Sequence, residues 1–344
     1  MKNLKAILRL YDYKIPKSLI AQKLAQPRDQ ARLLIYERKT KKIKLDRFNN
    51  LPEYLPENSV LVFNQTKVLP ARLILQKPTG GKIKILYLKK NRRYIWALCE
   101  NRLVIGEKYT LTPRIQFQLV KKINNHYVFK STFPISQLET ILMRFGVAPL
   151  PPYLKKSPLT EAQKKAQYQT VFANVPGSIA APTASLHFTK NLMSKIKERG
   201  NKIAFVTLHV NLGTFAPLTE KHLKTKQLHS EYFEIDHKTA QVLNRAKQNH
   251  QPIIAVGTTV ARTLESSAIS SKLNRFSGDT QLFIQPGYKF KFIDGLITNF
   301  HVPKSSLLML VSAFTGRKTL FQLYQRAIAQ KFKFFSFGDG MLIL

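Results

Sequence analysis

The proline-rich segment VAPLPPYL, residues 147–154, separates two sequence patterns and constrains the fold more than any other feature. Before it, from residue 60, short β-type runs such as VLVF, KIKILYL and RYIWALC are separated by Gly, Pro, Lys and Asn clusters. After it, helical patterns such as TKNLMSKIKERGN alternate with buried-strand patterns such as KIAFVTLHV and PIIAVGTT. The first pattern is typical of a small barrel or sandwich. The second predicts an α/β layer with parallel strand pairs.

The charge of the chain is strongly positive and indicates a polyanionic partner. The 344 residues contain 56 Lys and Arg against 19 Asp and Glu, which leaves a net charge of +37. Such a field attracts nucleic acid and releases its counterions on binding. A Lys-rich proteome with drifted surface charge is the alternative, and it does not exclude RNA binding.

The remaining composition excludes several classes of protein. The single cysteine, Cys99, rules out an internal disulfide framework and a multi-cysteine metal site. The amino-terminal residues contain no signal-peptide apolar core, and no apolar run is long enough to span a bilayer. We therefore expect a soluble cytoplasmic protein.

Four strings in the second half of the chain place small polar residues between apolar ones. They are APTASLHFT (181–189), TLHVNLGTF (207–215), AVGTTVARTLES (255–266) and LITNFHVPKSSLLML (296–310). Ligands of open α/β sheets collect outside the carboxyl ends of strands, where such strings occur. Thr258 and Thr259 follow Gly257 at a predicted helix start and could offer N–H groups to an anion or carboxylate. A plain threonine N-cap is the alternative.

Histidines and acids in these regions are candidates for proton transfer. A lone histidine in an apolar run is usually structural, but three lie in these strings and a fourth lies in HSEYF (229–233), which favours a chemical role. Acids are scarce, so those beside Gly, Ser or aromatic residues are informative, although a salt bridge or cap is the alternative for each. No HxxxH pair occurs, and we predict no metal site. The candidates are His187, His209, His229, His301, Glu231, Glu265, Asp294 and Asp339.

Nearly the whole chain resembles the S-adenosylmethionine:tRNA ribosyltransferase-isomerase family of queuosine biosynthesis. The resemblance rests on YDYKIPKSLIAQ, VFNQTKVLPARL, TGGKIKILYL, PLPPY, YQTVFA, the dense strings, HSEYF, PGYKF and FFSFGDGMLI, all in one order. The sequence departs from the family pattern at five positions. Gln65 replaces Asp, Lys84 replaces Glu, Leu24 replaces Pro, and Ser185 and Asn211 replace Gly.

The resemblance implies a fold and an activity. The fold is an α/β catalytic domain of residues 1–60 and 148–344, with a mixed or parallel sheet, interrupted by an inserted β-barrel domain of residues 61–147. The activity moves the ribosyl part of S-adenosylmethionine onto 7-aminomethyl-7-deazaguanine at the tRNA wobble position and isomerises it, giving epoxyqueuosine, adenine and methionine. S-adenosylmethionine is then a consumed substrate and no cofactor is implied. A monomer without an obligate protein partner is expected.

The matched positions imply three groups of site residues. A basic RNA-binding protein that has lost catalysis through Ser185 and Asn211 is the alternative function, because a side chain is unfavourable if either position needs positive φ or close ligand approach. The catalytic candidates are His187, His209, Glu231, His301 and Asp339. The substrate-binding candidates are Thr183, Ser185, Thr207, Gly213, Thr214, Phe215, His229, Gly257, Thr258, Thr259, Arg262, Glu265, Asn299 and Lys304. The tRNA-binding candidates are Arg32, Asn64, Lys67 and Arg72.

Overall fold

The computed structural model describes residues 4–154, 156–211 and 217–344. The strands are β1 (Arg32–Tyr36), β2 (Ile43–Arg47), β3 (Val60–Asn64), β4 (Thr66–Val68), β5 (Arg72–Gln76), β6 (Lys82–Lys90), β7 (Ile95–Cys99), β8 (Lys108–Thr112), β9 (Ile115–Ile123), β10 (His126–Ser131), β11 (Val175–Ser178), β12 (Lys202–Leu208), β13 (Gln227–Glu234), β14 (Ile253–Val256), β15 (Ala268–Ile269), β16 (Lys272–Leu273), β17 (Ser277–Leu282), β18 (Gly295–Asn299) and β19 (Gly340–Ile343). The α-helices are α1 (Leu4–Arg9), α2 (Leu138–Phe145), α3 (Glu161–Gln167), α4 (Lys190–Glu198), α5 (Glu220–Thr225), α6 (His237–Gln248), α7 (Thr258–Ser267), α8 (Ser306–Thr315) and α9 (Arg317–Ala329).

A nine-stranded mixed sheet forms the larger part of the molecule, in the order β17-β13-β12-β3-β14-β18-β19-β1-β2. Its centre is parallel, because β12, β3, β14 and β18 pair in parallel. Strands β3, β14 and β18 are buried at every position, as expected for strands with both faces covered. The α/β prediction is confirmed.

The second part is a closed six-stranded barrel, β10-β7-β6-β5-β8-β9, whose paired strands are antiparallel. Its strands alternate inward apolar residues such as Ile83, Ile85 and Phe117 with outward polar ones, as a small barrel requires. A barrel was predicted here, and the chain leaves the barrel through helix α2.

The predicted start of the insert at residue 61 is wrong by one strand. Residues 60–64 form β3, the strand that lies between β12 and β14 in the large sheet. Its continuous apolar run VLVF is typical of a strand buried on both faces, whereas barrel strands alternate. The insert therefore begins after Asn64, and the first barrel strand starts at Arg72.

The carboxyl ends of the four parallel strands meet at one edge of the sheet, and the polar strings follow them there. Gly257 links β14 to α7, and Phe300 and His301 follow β18. Strand β19 runs antiparallel to β18, so the segment just before it, with Phe335 and Ser336, reaches the same edge. Within the described ranges no helix is long and apolar enough to cross a membrane.

Candidate active site

A cavity of about 360 Å³ opens at this edge of the sheet. That volume is within the ordinary range for small-molecule sites. Its walls come from the ends of β14 and β18, the start of α7, the segment 181–184 and the segment before α8. The sequence-predicted site residues that line it are Thr183, Gly257, Thr258, Thr259, Asn299, His301 and Lys304.

The start of helix α7 forms one polar wall of the cavity. Gly257 has φ +101°, a conformation that only glycine adopts easily, and its N–H donates to the Ile297 carbonyl. The chain can thereby turn directly from β14 into the helix. The first backbone N–H groups of a helix have no intrahelical partner, so this wall favours a carboxylate or another electron-rich group.

Asn299 is held with its amide in one orientation. Its Nδ2 donates to the Phe335 carbonyl at 3.1 Å and lies 3.3 Å from His187 Nε2. A carbonyl can only accept, so the nitrogen must face Phe335, and His187 must then accept through Nε2. Asn299 Oδ1 has no hydrogen-bond partner among the described residues. The side chain therefore offers an acceptor and not a donor.

His301 is the one histidine of the predicted catalytic set that lines the cavity. Its Nε2 lies 2.8 Å from Thr298 Oγ1, and its backbone N–H donates to the Tyr324 hydroxyl at 2.8 Å. Burial lowers the pKa of His301 to about 3, so the ring is neutral at pH 7. A neutral imidazole can accept a hydrogen bond or a proton and does not repel a cationic ligand.

His187 is a core residue behind the cavity wall and does not line it. Its ring is fully buried and stacks on Phe48 with 4.1 Å between centroids. Burial, together with the charge of Arg28, lowers the pKa of His187 to about 3. Through Nε2 it fixes the amide of Asn299, so its position supports an orienting role and not contact with a ligand.

His209 and Thr207 also lie away from the cavity. His209 Nδ1 is 2.8 Å from Thr66 Oγ1, on the side where β4 and β11 pair. A Cβ at Gly177 would come within 2.7 Å of the His209 ring, so that glycine allows the imidazole to pack against the backbone. Thr207 Oγ1 lies 3.4 Å from Gln65 Nε2 in the same region.

Glu231, Arg262 and His229 surround a second, water-sized cavity of about 10 Å³. Glu231 and Arg262 form an ion pair in which both side chains are almost completely buried. Leu307 lines both cavities and separates this pair from the larger one. Glu231 also accepts the backbone N–H of Asn211 at 2.9 Å. The pair therefore anchors the chain just before residues 212–216. The predicted ligand contacts Gly213, Thr214 and Phe215 lie outside the described residues.

Two predicted site carboxylates accept hydrogen bonds from backbone N–H groups. Glu265 accepts the backbone N–H groups of Lys291, Phe292 and Ile293 and the hydroxyl of Tyr288, so its oxygens are already occupied. Asp339 accepts the backbone N–H groups of Arg32 and Lys333. It thereby links the start of β1 to the segment between α9 and β19. Neither residue lines the cavity. The scarcity of acids in the sequence identified these two carboxylates as candidates. It could not distinguish a carboxylate that accepts backbone hydrogen bonds from one that takes part in catalysis.

Ser185 and Asn211 stand at usual glycine positions without backbone strain. Neither has positive φ. Ser185 lies in a 3-10 helix (Thr183–His187) behind the cavity wall, and its hydroxyl has no partner among the described residues. Asn211 donates its side-chain amide to the Ser230 carbonyl at 3.1 Å. The backbone at both positions accepts a side chain.

Of the tRNA-binding candidates, Arg72, Lys67 and Arg32 are half-buried and Asn64 is buried. Arg72 lines open grooves on the barrel, and Lys67 is half-buried in β4. Asn64 is completely buried and joins the ends of β3 and β12 through Leu208. Arg32 donates to the Gln330 carbonyl and stacks on Phe332, which ties it to the C-terminal segment.

Tyr153 and Ser336 line the cavity and were not predicted as site residues. The Tyr153 hydroxyl lies 2.7 Å from Ser336 Oγ, and both residues face the same space as Asn299. Their strings, PLPPY and FFSFGDG, carry part of the family resemblance, and this was the available signal. Among the described residues no group of three or more His, Cys, Asp or Glu is arranged to hold a metal ion.

A strand-end cavity in a mixed α/β sheet, with a closed antiparallel barrel inserted after β4, defines an α/β enzyme with an inserted barrel. The comparisons make the class specific: the chain belongs to the queuosine biosynthesis protein family, whose model matches residues 8–343. The resemblance found in the sequence is thereby confirmed.

Similar proteins match over nearly their whole length. The S-adenosylmethionine:tRNA ribosyltransferase-isomerase of Carboxydothermus hydrogenoformans is 42% identical over 341 residues, covering 98% of this chain and 99% of the relative. That of Halothermothrix orenii is 43% identical over 345 residues, with 97% and 98% covered. A crystal structure of S-adenosylmethionine tRNA ribosyltransferase from Thermotoga maritima is 30% identical with a TM-score of 0.57, covering 97% of this chain and 100% of that one.

Proposed function

We propose that this chain transfers the ribosyl part of S-adenosylmethionine to 7-aminomethyl-7-deazaguanine at the tRNA wobble position and isomerises it to give epoxyqueuosine. Adenine and methionine leave, so the donor is a consumed substrate and the reaction needs no recycled cofactor. The observation that carries the proposal is the full-length match to relatives named for this reaction, together with a strand-end cavity of small-molecule size.

The cavity offers groups suited to a sulfonium donor. The start of α7 faces the cavity with Thr258 and Thr259, where backbone N–H groups can receive the carboxylate of the methionine part. His301 is neutral, so it does not repel the sulfonium cation and can accept a hydrogen bond from the bound donor. The nucleophilic amine comes from the RNA. No Ser or Cys nucleophile is required.

The acceptor RNA is expected to approach from the barrel. Arg72 lines a groove that also borders Pro151 and Leu154, and the neighbouring Tyr153 lines the cavity. The proline-rich segment 147–154 therefore borders both the groove and the cavity. With a net charge of +37, phosphate contacts supply much of the binding free energy. A monomer acting in the cytoplasm, without an obligate protein partner, completes the proposal.

The alternative, an RNA-binding protein without catalysis, depends on damage at Ser185 and Asn211. Their backbone conformations suit a side chain, which favours the enzyme. The test is incubation with S-adenosylmethionine labelled in the ribose and precursor tRNA that carries the aminomethyl base. The proposal predicts free adenine and label in the tRNA in equal amounts. Binding of tRNA without adenine release would establish the alternative instead.

A further inference from the structure

The outer face of the barrel carries an aromatic pair flanked by lysines. Tyr94 and Trp96 are half-buried, with 6.3 Å between their ring centroids. Lys89 Nζ lies 5.4 Å from the Trp96 ring centroid and Lys121 Nζ lies 5.8 Å from that of Tyr94. Both lysines are exposed. We call these four residues the Trp96 face.

Strand pairing places Lys89, Trp96 and Lys121 in one row across four strands, and Tyr94 precedes Trp96 by two residues. Lys89 pairs directly with Trp96, Trp96 pairs with Val128, and Val128 pairs with Lys121. Residues in such a row share one surface of the sheet. The register of β6 shifts between Tyr87 and Lys89, beside the row. Bulges of this kind re-aim side chains and are frequent near functional sites.

The Trp96 face continues into a basic groove. Leu98 follows Trp96 by two residues on the same outward side of β7 and lines an open groove of about 950 Å³. Arg72, Lys84, Arg102 and Lys122 contribute cations to that groove, against one acid, Glu100. Arg72 and Lys84 also line another groove, which borders Pro151 and Leu154 of the proline-rich segment beside the cavity. A basic track therefore runs from the Trp96 face toward the cavity.

We propose that the Trp96 face is an RNA-docking platform on which an unpaired base of the tRNA stacks while lysines bind the flanking phosphates. The row contains no carboxylate, and a positively charged groove with aromatic stacking surfaces is how proteins hold single-stranded nucleic acid. Lys89 covers the Trp96 ring only by a weak surface cation–π contact, so a base can displace it and leave its ammonium for a phosphate. This inference rests on the proposed function, because it assumes a tRNA acceptor.

The chain contains a single tryptophan, so its tryptophan fluorescence reports this face alone. Titration with precursor tRNA is expected to quench the emission saturably. Heparin, an acidic polymer without bases, is expected to compete for binding and leave the emission nearly unchanged. Equal quenching by heparin at equal charge, or tRNA binding without quenching, would overturn base stacking at Trp96.

Variants test the contribution to affinity by filter binding. Trp96→Ala is expected to weaken tRNA binding by about 5- to 100-fold, whereas Trp96→Phe, which keeps a stacking surface, stays close to wild type. The double substitution Lys89→Gln/Lys121→Gln should weaken binding more than Lys195→Gln/Lys197→Gln, which removes the same charge from helix α4. Equal losses in the two lysine pairs, or unchanged affinity of Trp96→Ala, would refute the platform.

Different experimental results would refute the RNA-docking platform and the proposed enzymatic function. Adenine release that is unaffected by Trp96→Ala at limiting tRNA would refute the platform and leave the enzyme intact. Quenching by tRNA in a protein that never releases adenine would support the platform and refute the enzyme. Circular dichroism melting of each variant separates a loss of folding from a loss of docking.

Discussion

The buried neutral state of His187 predicts how the stability of this protein depends on pH. Its pKa is about 3 in the folded chain, where the ring stacks on Phe48, and about 6.5 in an unfolded chain. The unfolded state therefore takes up the proton first as the pH falls. The stabilising contribution is complete above pH 6.5 and is lost progressively down to about pH 3.

The magnitude follows from the two pKa values. Between pH 7 and pH 5 the unfolded imidazole becomes almost fully charged while the folded one does not, which lowers the free energy of unfolding by about 2 kcal/mol. His187→Gln lacks this contribution. The variant is less stable than wild type at pH 7, and the difference between the two should shrink by about 2 kcal/mol at pH 5.

Urea unfolding followed by far-ultraviolet circular dichroism at pH 5, 6 and 7 measures this difference. His126→Gln, at an exposed histidine of β10, controls for the removal of an imidazole and is expected to follow the wild-type pH curve. A wild-type to His187→Gln difference that stays constant from pH 7 to pH 5 would refute the assignment of a neutral histidine. Adenine release per folded His187→Gln molecule should remain within a few-fold of wild type, because the residue does not line the cavity and the Phe335 carbonyl still holds the amide of Asn299.

Three further predictions concern the ion pair, the helix start and the RNA. Glu231→Gln should lower the free energy of unfolding by roughly 3–5 kcal/mol in chemical denaturation, because it leaves the buried charge of Arg262 uncompensated, and Glu231→Leu/Arg262→Met should recover most of that loss. Gly257→Ala and Gly80→Ala both place alanine at positive φ and should each cost about 1–3 kcal/mol of stability, but only Gly257→Ala should raise the KM for S-adenosylmethionine, since Gly80 lies in a barrel turn. The logarithm of the tRNA association constant should fall linearly with the logarithm of salt concentration. The constant itself should fall by about 10³-fold from 50 to 200 mM if some six phosphates are neutralised, and a flat response would contradict a basic docking track.

Local pattern was sufficient to predict the layers of the fold. The alternation after residue 154 gave β12, α6 and β14, and the short runs before residue 147 gave the barrel. The prediction was wrong for β3, which it assigned to the barrel domain. It precedes the barrel in sequence but pairs with β12 and β14, more than 100 residues away; its apolar run VLVF indicates a strand buried on both faces but does not identify these partners.

The location of the site at one edge of the sheet was predictable from the sequence. The roles of its individual residues were less predictable. Thr258, Asn299 and His301 lie at or just after the carboxyl ends of parallel strands, which meet at one edge of the sheet, so their convergence could be expected. The role of Glu265 depends on three backbone N–H groups that lie 26 to 28 residues later in the chain, and that of His187 on Phe48 and Asn299. Residue type identified these groups as unusual. Only the three-dimensional contacts distinguish a residue that binds other parts of the chain from one that contacts a ligand.

His301 lines the strand-end cavity and tests most directly whether the chemistry takes place there. Single-turnover adenine release from S-adenosylmethionine and precursor tRNA should fall by roughly 10²–10⁴-fold in His301→Gln, with the tRNA dissociation constant unchanged. His209→Gln, which changes a histidine outside the cavity, should release adenine at nearly the wild-type rate per folded molecule. Near-normal adenine release from folded His301→Gln, or a large loss confined to His209→Gln, would contradict the placement of the reaction in this cavity.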